Sequence, residues 1–457
     1  MTRLFINISL FTLYLISGSA EVQAQDKVLK LSLEDCTKYA LQHNASSKNA
    51  MLDVLIQQAQ NAQVTASAYP HISSKTELDD FLNPQVSYFP NSAIKLFNPN
   101  AQLPDNGFQK VVFTPKYSGS TSISANQILF DGSVMVALKA RNAVLEFSKM
   151  NAEVTQEGIR YNIFKVYHAL AITYRQYDIV KSALSYARSL ERDLEITQQN
   201  GLAEKIEVER TNVQVNNLAS DSMRIGNLLT VTEQLLKFQM GMDINAPIVL
   251  TDTNVDARKQ EINTLMDRGM DYERVPEYKL MQTGLTLNEY NVTRYKMAVL
   301  PSLIAFGNMG YAFSSNDFSA MTIGPNYLFN SIVGLQLNIP IFNGLMRQKQ
   351  LQEAKLNVEK MKNNLENVKL GIDFQTAQSR ANLRNAVLQV QSQHRNLDLS
   401  NDVLDLAQKK FKAGVGSSQE ITLAQTDQLK AQTNYFNALM DMINAEADLK
   451  KALGLLK

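Results

Sequence analysis

One stretch decides the fold: it opens at Phe342-Asn343-Gly344 and closes at Lys412-Ala413-Gly414-Val415-Gly416. Between Gly344 and Gly414 the sequence has no proline and one glycine, Gly371, so nothing in it forces a helix to stop. At a rise of 1.5 Å per residue, a helix of about 70 residues would measure roughly 100 Å. A compact domain of a chain this long would be much narrower. The sequence therefore predicts an elongated helical protein.

The first half of this predicted helix carries a regular apolar seam, in which apolar or small residues alternate at spacings of three and four. The seam consists of Leu351, Ala354, Val358, Met361, Leu365, Val368 and Ile372. Such a pattern is typical of a coiled coil, so the helix needs partners along its length. After Gly416 a second helical stretch runs from Ser417 to about Leu453. We interpret the pair as an antiparallel hairpin of one very long and one shorter helix.

The same arrangement is written twice in the chain. Phe130-Asp131-Gly132 opens a proline-free stretch that ends at Asn200-Gly201, and a return helix then ends at Met240-Gly241. The matching landmarks of the later stretch, including Leu453-Gly454, follow at an offset near 212 residues. This indicates an internal duplication. We divide the chain into a signal peptide at 1–24, a first repeat at 25–242, a linker at 243–260 and a second repeat at 261–457.

The N-terminus predicts export from the cytoplasm. A short basic start is followed by a mostly apolar run from Leu4 to Ile16 and by small residues at Val22-Gln23-Ala24, as in a cleaved secretory signal. The formal net charge is +1, with no long block of like charge, so composition gives no reason to expect nucleic acid as a partner. The one cysteine, Cys36, is predicted to be a buried thiol early in a helix.

Nothing in the sequence indicates catalysis. No phosphate-binding loop, dinucleotide motif or nucleophile elbow is present. The histidines do not show the spacing of metal ligands, and we expect them to be surface or packing residues. They are His43, His71, His168 and His394. We therefore expect no enzyme and no catalytic, cofactor or metal site, and any driving energy must come from a partner.

Alternating strands precede each long helix. Tyr117 to Phe130 places serines on one face, and Ser331 to Phe342 places Val, Leu and Ile on one face. Further strands are predicted from Pro70 to about Phe81 and from Ser302 to Phe313. Strands of ten to twelve residues can cross a bilayer when tilted, although a soluble sandwich strand would show the same alternation. The remaining expectations are helices at 31–65 and 261–299 and a long exposed loop at 84–107.

Four strands cannot close a membrane barrel alone, since at least about eight are needed. The edge strands must therefore pair with other chains. Three copies would supply twelve strands and would gather the long helices into one tube. Geometry favours an oligomeric hollow cylinder with a β-barrel at one end.

The mature chain resembles the TolC-type outer-membrane efflux proteins. The resemblance is carried by the opening Leu31-Ser32-Leu33-Glu34-Asp35, by Pro340-Ile341-Phe342-Asn343-Gly344, and by the turn Phe411-Lys412-Ala413-Gly414-Val415-Gly416 before a long Gln/Asn/Ala-rich helix. It implies an α+β membrane protein: a homotrimer with a 12-stranded β-barrel in outer-membrane lipid, four strands per chain, continued by an α-helical coiled-coil barrel in the periplasm. It also implies docking to a periplasmic adaptor and, indirectly, to an inner-membrane transporter.

The candidate functional residues lie just after the two long-helix turns. Glu207 follows Gly201 by six residues, and Glu420 follows Gly414 by six, which predicts each carboxylate in the second helical turn beyond the tip. The resemblance implies acidic residues that ring a narrow entrance; the alternative is that each carboxylate complements the dipole of a helix N-terminus. Lys205 or Arg210 are possible partners of Glu420. Some relatives carry a second acidic residue at the positions of Arg210 and Leu423 and a basic residue at the position of Gly416. This chain lacks those acidic and basic residues.

The turns themselves are the candidate adaptor-docking tips, although small residues there also serve simply to end helices. They comprise Gly201, Leu202, Ala203, Gly414, Val415 and Gly416. The resemblance thus implies a passive outer-membrane exit duct for small molecules, driven by an inner-membrane pump. A protein-secretion duct and a secreted coiled-coil scaffold or adhesin without channel activity remain the alternatives.

Overall fold

A computed structural model describes residues 29–251, 259–318 and 327–456. The predicted signal peptide at 1–24 lies outside these ranges, as does the middle of the predicted linker at 243–260. The helices are α1 (Leu33–His43), α2 (Ala45–Ala66), α3 (Asn91–Phe97), α4 (Gly132–Gln199), α5 (Lys205–Met240), α6 (Lys259–Met266), α7 (Pro276–Met297), α8 (Met346–Lys412) and α9 (Ser418–Ala452). The strands are β1 (Leu29–Leu31), β2 (His71–Asp80), β3 (Val86–Pro90), β4 (Phe108–Val112), β5 (Tyr117–Phe130), β6 (Ile248–Leu250), β7 (Ser302–Ser315) and β8 (Leu328–Asn338).

The two predicted long helices are confirmed. Helix α4 has 68 residues and α8 has 67, and each is followed by a return helix, α5 or α9. All seven residues of the predicted seam in α8 are buried or half-buried, while nearly all residues between them are exposed. The three-and-four spacing therefore marks the face on which α8 packs.

The chain divides into two compact units. One contains the described parts of residues 1–50, 153–275 and 371–457, and the other contains residues 51–152 and 276–370. Each unit therefore takes segments from both predicted repeats. In the first unit, one buried cluster surrounds Tyr167 and Leu236 and includes Cys36, which confirms the predicted buried thiol. A second cluster surrounds Leu439 and Ile443 of α9.

The return helices end at equivalent glycines. Gly241 and Gly454 both have a left-handed backbone, with φ of 70° and 63°, and the residue after each donates its N–H back to a lysine carbonyl five positions earlier. Each end abuts a break in another helix pair. A Cβ at Gly241 would lie 2.7 Å from the carbonyl oxygen of His43, and one at Gly454 would overlap the carbonyl of Arg274. Only glycine allows both the backbone conformation and this close approach.

A largely buried ion pair lies about one turn before each of these glycines. The two pairs are 213 positions apart in the sequence, as are Gly241 and Gly454. Glu233 and Lys237 pair at 2.7 Å in α5, and Glu446 and Lys450 pair at 2.8 Å in α9. Both pairs reach beyond their helix, because Tyr174 donates to Glu233 and Lys450 also pairs with Glu261. This pattern fixes the end of each return helix against its neighbours.

The second unit contains an antiparallel four-stranded sheet in the order β2-β5-β7-β8. Its register sorts the side chains onto two faces. One, here called the serine face, carries small polar residues of β5 opposite polar residues of β2: His71 with Asn126, Ser73 with Ser124, Lys75 with Ser122, Glu77 with Ser120 and Asp79 with Ser118. The other, here called the aromatic face, carries Ile72, Leu78, Ile123, Met309, Tyr311, Phe313, Phe329, Val333, Leu335 and Leu337.

The structure corrects several expected boundaries. The helix expected at 31–65 breaks at Asn44, whose side chain donates to the carbonyl of Gln239, and the helix expected at 261–299 breaks before Pro276. Proline lacks an N–H and fits the first turn of a helix, so Pro276 begins α7 instead of lying inside a helix. The expected loop at 84–107 contains β3 and α3. Strand β8 ends at Asn338, before Pro340, which cannot donate to a strand ladder.

Candidate functional site

The two turns that join α4 to α5 and α8 to α9 have the same geometry. Gly201 and Gly414 both have φ of 74°. Gly201 donates its N–H to the carbonyl of Gln198, and the next residue, Leu202, donates to Thr197; the later turn repeats both bonds. This double capping satisfies the last carbonyls of each long helix. The turns are therefore ordered caps, which supports the interpretation of these glycines as helix stops.

Both turns also present an apolar side chain to solvent. In such a cap the residue after the glycine often packs back onto its helix. Here Leu202 and Val415, which occupy that position, are 80% and 78% exposed. Ala203 and Gly416 are half-buried. The exposed apolar tip is repeated in both turns, although ending a helix does not require it.

The predicted carboxylates lie in the first turns of the return helices. Glu207 is half-buried in the first turn of α5, and Glu420 is exposed in the first turn of α9, not in the second turn as expected. The Ser417 hydroxyl accepts a hydrogen bond at 3.2 Å from the backbone N–H of Glu420. A carboxylate in this position is favourable to the helix dipole. This position agrees with the dipole interpretation of the two residues, and their role as a gate stays a prediction.

A polar contact joins the two hairpins near the tips. The guanidinium of Arg210 donates from Nη1 to Oε1 of Gln419 at 2.8 Å. Arg210 thus reaches α9, as one of the sequence-based alternatives expected, but it contacts the residue before Glu420. Deeper in the bundle, the Gln425 side chain donates to the carbonyl of Ala183 at 3.3 Å. These contacts connect residues about 210 to 240 positions apart, and no local sequence pattern predicts them.

An open groove lies between α5 and α9 beside this contact. Its volume is about 420 Å³, and apolar side chains alternate with polar ones along it. The lining residues are Ile206, Glu209, Arg210, Val213, Gln214, Ser418, Gln419, Thr422 and Leu423. Three of the apolar side chains, Ile206, Val213 and Leu423, are exposed to solvent.

A small core holds the tip helices together. Leu190 and Leu194 of α4 pack with Ala407 of α8 and with Ile421 and Ala424 of α9. Tyr186 packs against this cluster, and its burial, followed by the nearby charge of Asp193, raises the pKa of its phenol. Since each helix contributes only a few apolar residues, the tip has a thinner core than the rest of its unit.

The histidines lie in separate surroundings. His43 stacks on Tyr39, the buried His168 meets aromatic rings, and His394 contacts Asp398 at 2.8 Å. His71 is exposed on β2. Within the residues that the structure describes, no group of three or more His, Cys, Asp or Glu side chains could hold a metal ion. No helix in the described ranges is long and apolar enough to cross a membrane.

Comparison with known proteins identifies part of the chain. Residues 281–455 match the model of the family described as outer membrane efflux protein. The match covers less than half of the chain. Protein CyaE of Bordetella pertussis is 25% identical over 197 residues, which are 43% of this chain and 41% of CyaE. The match thus spans about two fifths of that relative.

Solved structures extend the likeness to nearly the whole chain. The outer membrane protein VceC of Vibrio cholerae superposes with a TM-score of 0.66 at 16% identity, covering 92% of this chain and 96% of VceC. The CmeC outer membrane channel of Campylobacter jejuni gives 0.68 at 18%, covering 92% and 85%. The open-state MtrE outer membrane channel of Neisseria gonorrhoeae gives 0.66 at 17%, covering 93% and 89%. The chain therefore has the fold of these outer membrane proteins.

Proposed function

We propose that this efflux-family chain is the outer-membrane exit duct of a tripartite efflux system. The observation that carries the proposal is the likeness of more than nine tenths of the chain to outer membrane channels. The duct is passive: an inner-membrane pump drives small molecules into it through a periplasmic adaptor. The two repeats, 25–242 and 261–457, each supply one hairpin of the helical tunnel and two strands of the barrel.

The sheet supports a membrane-inserted barrel. Its aromatic face presents exposed apolar side chains, and ring pairs cluster at the end of the sheet where β7 ends and β8 begins. Tyr311 lies 5.2 Å from Phe329, and Phe313 lies 5.1 Å from Tyr327, between ring centroids. Such a band with an aromatic girdle suits lipid and its interface. The barrel lies in the outer membrane and the tunnel in the periplasm.

The edges of the sheet support a homotrimer. Strands β2 and β8 are the two edge strands, and the all-antiparallel order makes them run in opposite directions. The β8 strand of one copy can therefore pair with β2 of the next in the antiparallel sense. Three copies close twelve strands, which removes every edge.

Two apolar stripes in the helical unit support the same assembly. On α5, six exposed apolar residues lie within about 40°, measured around the helix axis, of one line drawn along the helix. On α8, five exposed apolar residues form a stripe of the same kind. They are Ile206, Val213, Leu228, Val231, Leu235 and Phe238 on α5, and Phe374, Leu388, Leu399, Val403 and Leu406 on α8. Both stripes run the length of a return helix from the turns, so α8 of a second copy can lie along α5.

The tips carry the remaining roles. The exposed Leu202 and Val415, with Gly201, Ala203, Gly414 and Gly416, form the adaptor-docking surface. Three copies bring up to six carboxylates of Glu207 and Glu420 to the tunnel entrance, where like charges repel and cations are favoured. The Arg210–Gln419 contact ties the two hairpins of each chain, and opening requires it to move.

The test is the conductance of the purified, detergent-extracted protein in a planar bilayer, with the oligomer mass measured on the same sample. We expect a trimer of low conductance that rises when Glu207 and Glu420 are both replaced by Ala. Lys409→Met, in an exposed ion pair of α8, is the control and should leave the conductance unchanged. A monomer that stays soluble without detergent and forms no channel refutes the duct and favours the scaffold. Export of a folded or unfolded protein by cells would favour the secretion alternative.

A further inference from the structure

The serine face has a simple charge balance. Its charged residues, apart from His71, are Lys75, Glu77 and Asp79, all on β2. Lys75 and Glu77 pair at 2.7 Å and cancel one another. Asp79 instead accepts a hydrogen bond from the Ser118 hydroxyl at 3.2 Å. Among the described residues, no lysine, arginine or histidine nitrogen forms an ion pair with Asp79 within 4.0 Å. One net negative charge therefore remains on this face in each chain.

Asp79 lies at the end of the sheet where β2 ends and β5 begins, opposite to the end at which β5 leads into α4. Strand β5 runs from this end into the turn before α4, so Ser118 is near its start and Asn126 is near the helix. The next residue, Asp80, faces the other way and lies opposite Tyr117 on the aromatic face. Two adjacent carboxylates thus belong to opposite faces of one strand.

We propose that the serine face lines the outer exit of the duct and that Asp79 makes this exit prefer cations. The inference rests on the proposed function and names which solutes its barrel favours. The hydroxyls need water or polar solutes, whereas the aromatic face can be buried against lipid. Serine hydroxyls donate and accept without charge, so most of the wall is indifferent to the charge of a solute. Three copies would place three Asp79 carboxylates at one level, and such a ring favours cations.

Reporter cysteines on neighbouring residues of β5 test the faces. Ser122 is on the serine face and Ile123 is on the aromatic face. The natural Cys36 is fully buried, so it gives little background. Intact cells that express the full chain are treated with water-soluble thiol reagents, one cationic and one anionic. We expect Ser122→Cys to react and Ile123→Cys to remain unmodified.

The charge preference is then measured at the Ser122→Cys reporter. Reagents from outside must pass the level of Asp79 to reach it. Asp79→Asn should lower the ratio of cationic to anionic reaction rates at least about twofold. The matched control, Asp80→Asn, removes the same charge from the other face and should leave the ratio unchanged.

The outcomes separate this inference from the proposed function. Equal reactivity of Ser122→Cys and Ile123→Cys overturns the assignment of the faces. Equal ratios in Asp79→Asn and Asp80→Asn overturn the role of Asp79. Both results leave an outer-membrane duct intact. Recovery of the chain in the soluble periplasmic fraction refutes the duct, and with it this inference.

Discussion

Replacing Gly241 by alanine should destabilise the protein more than the same change at Gly201. Both glycines end helices in the left-handed conformation, with φ of 70° and 74°, where a side chain costs about 1–2 kcal/mol. A Cβ at Gly201 would meet no atom within 4 Å, whereas one at Gly241 would lie 2.7 Å from the His43 carbonyl oxygen. Relieving that overlap adds about 1–3 kcal/mol. We expect the free energy of unfolding to fall by about 1–2 kcal/mol in Gly201→Ala and by about 2–5 kcal/mol in Gly241→Ala.

The two variants can be compared by guanidinium unfolding in detergent, followed by far-UV circular dichroism. The chain supplies a second matched pair for the same comparison. Gly414 is open like Gly201, and Gly454 abuts the Arg274 carbonyl as Gly241 abuts that of His43. Gly454→Ala should therefore lower the free energy of unfolding more than Gly414→Ala does. Equal losses at Gly201 and Gly241 would refute the close approach as the reason for glycine there.

Three further outcomes can be measured on the same protein. Lys237→Met breaks a largely buried pair with Glu233 and should cost about 2–4 kcal/mol in guanidinium unfolding. Arg224→Met, in an exposed pair, should cost less than about 1 kcal/mol, and equal costs would contradict this reasoning. Burial and the charge of Glu233 raise the pKa of Tyr174 to about 12. The tyrosine therefore ionises at a lower pH in the unfolded chain, and the thermal stability should fall between about pH 10 and pH 12. This fall should be less steep in Tyr174→Phe. Burial raises the pKa of Cys36 to about 12, so maleimide should label it only in guanidinium; labelling of the native protein would contradict its burial.

The long elements were predictable because their signals are local. Helix α8 follows from the absence of proline over its length and from the apolar seam, and strand β5 begins and ends at the predicted Tyr117 and Phe130. The cap of α1 is equally local, because the Ser32 hydroxyl accepts a hydrogen bond from the N–H of Asp35, three residues later. These features depend on neighbours in the sequence.

The missed features depend on distant residues. The break at Asn44 is held by a bond to Gln239, and the break before Pro276 lies where α9 ends at Gly454. The spacing after each turn located Glu207 and Glu420 but gave neither their burial nor the partner of Arg210. A contact with Gln419, 209 positions away, becomes visible only when both hairpins pack together.

By itself, the sequence determined the two long helices, strand β5 and the glycines that end the long helices, because periodicity, proline and glycine act within a few residues. The tertiary structure decided which strand faces meet. Strand alternation shows that Asp79 and Asp80 point in opposite directions, but only the pairing with Ser118 and Tyr117 shows which carboxylate shares a face with the serines. Register is a property of two strands, so one strand read alone cannot supply it.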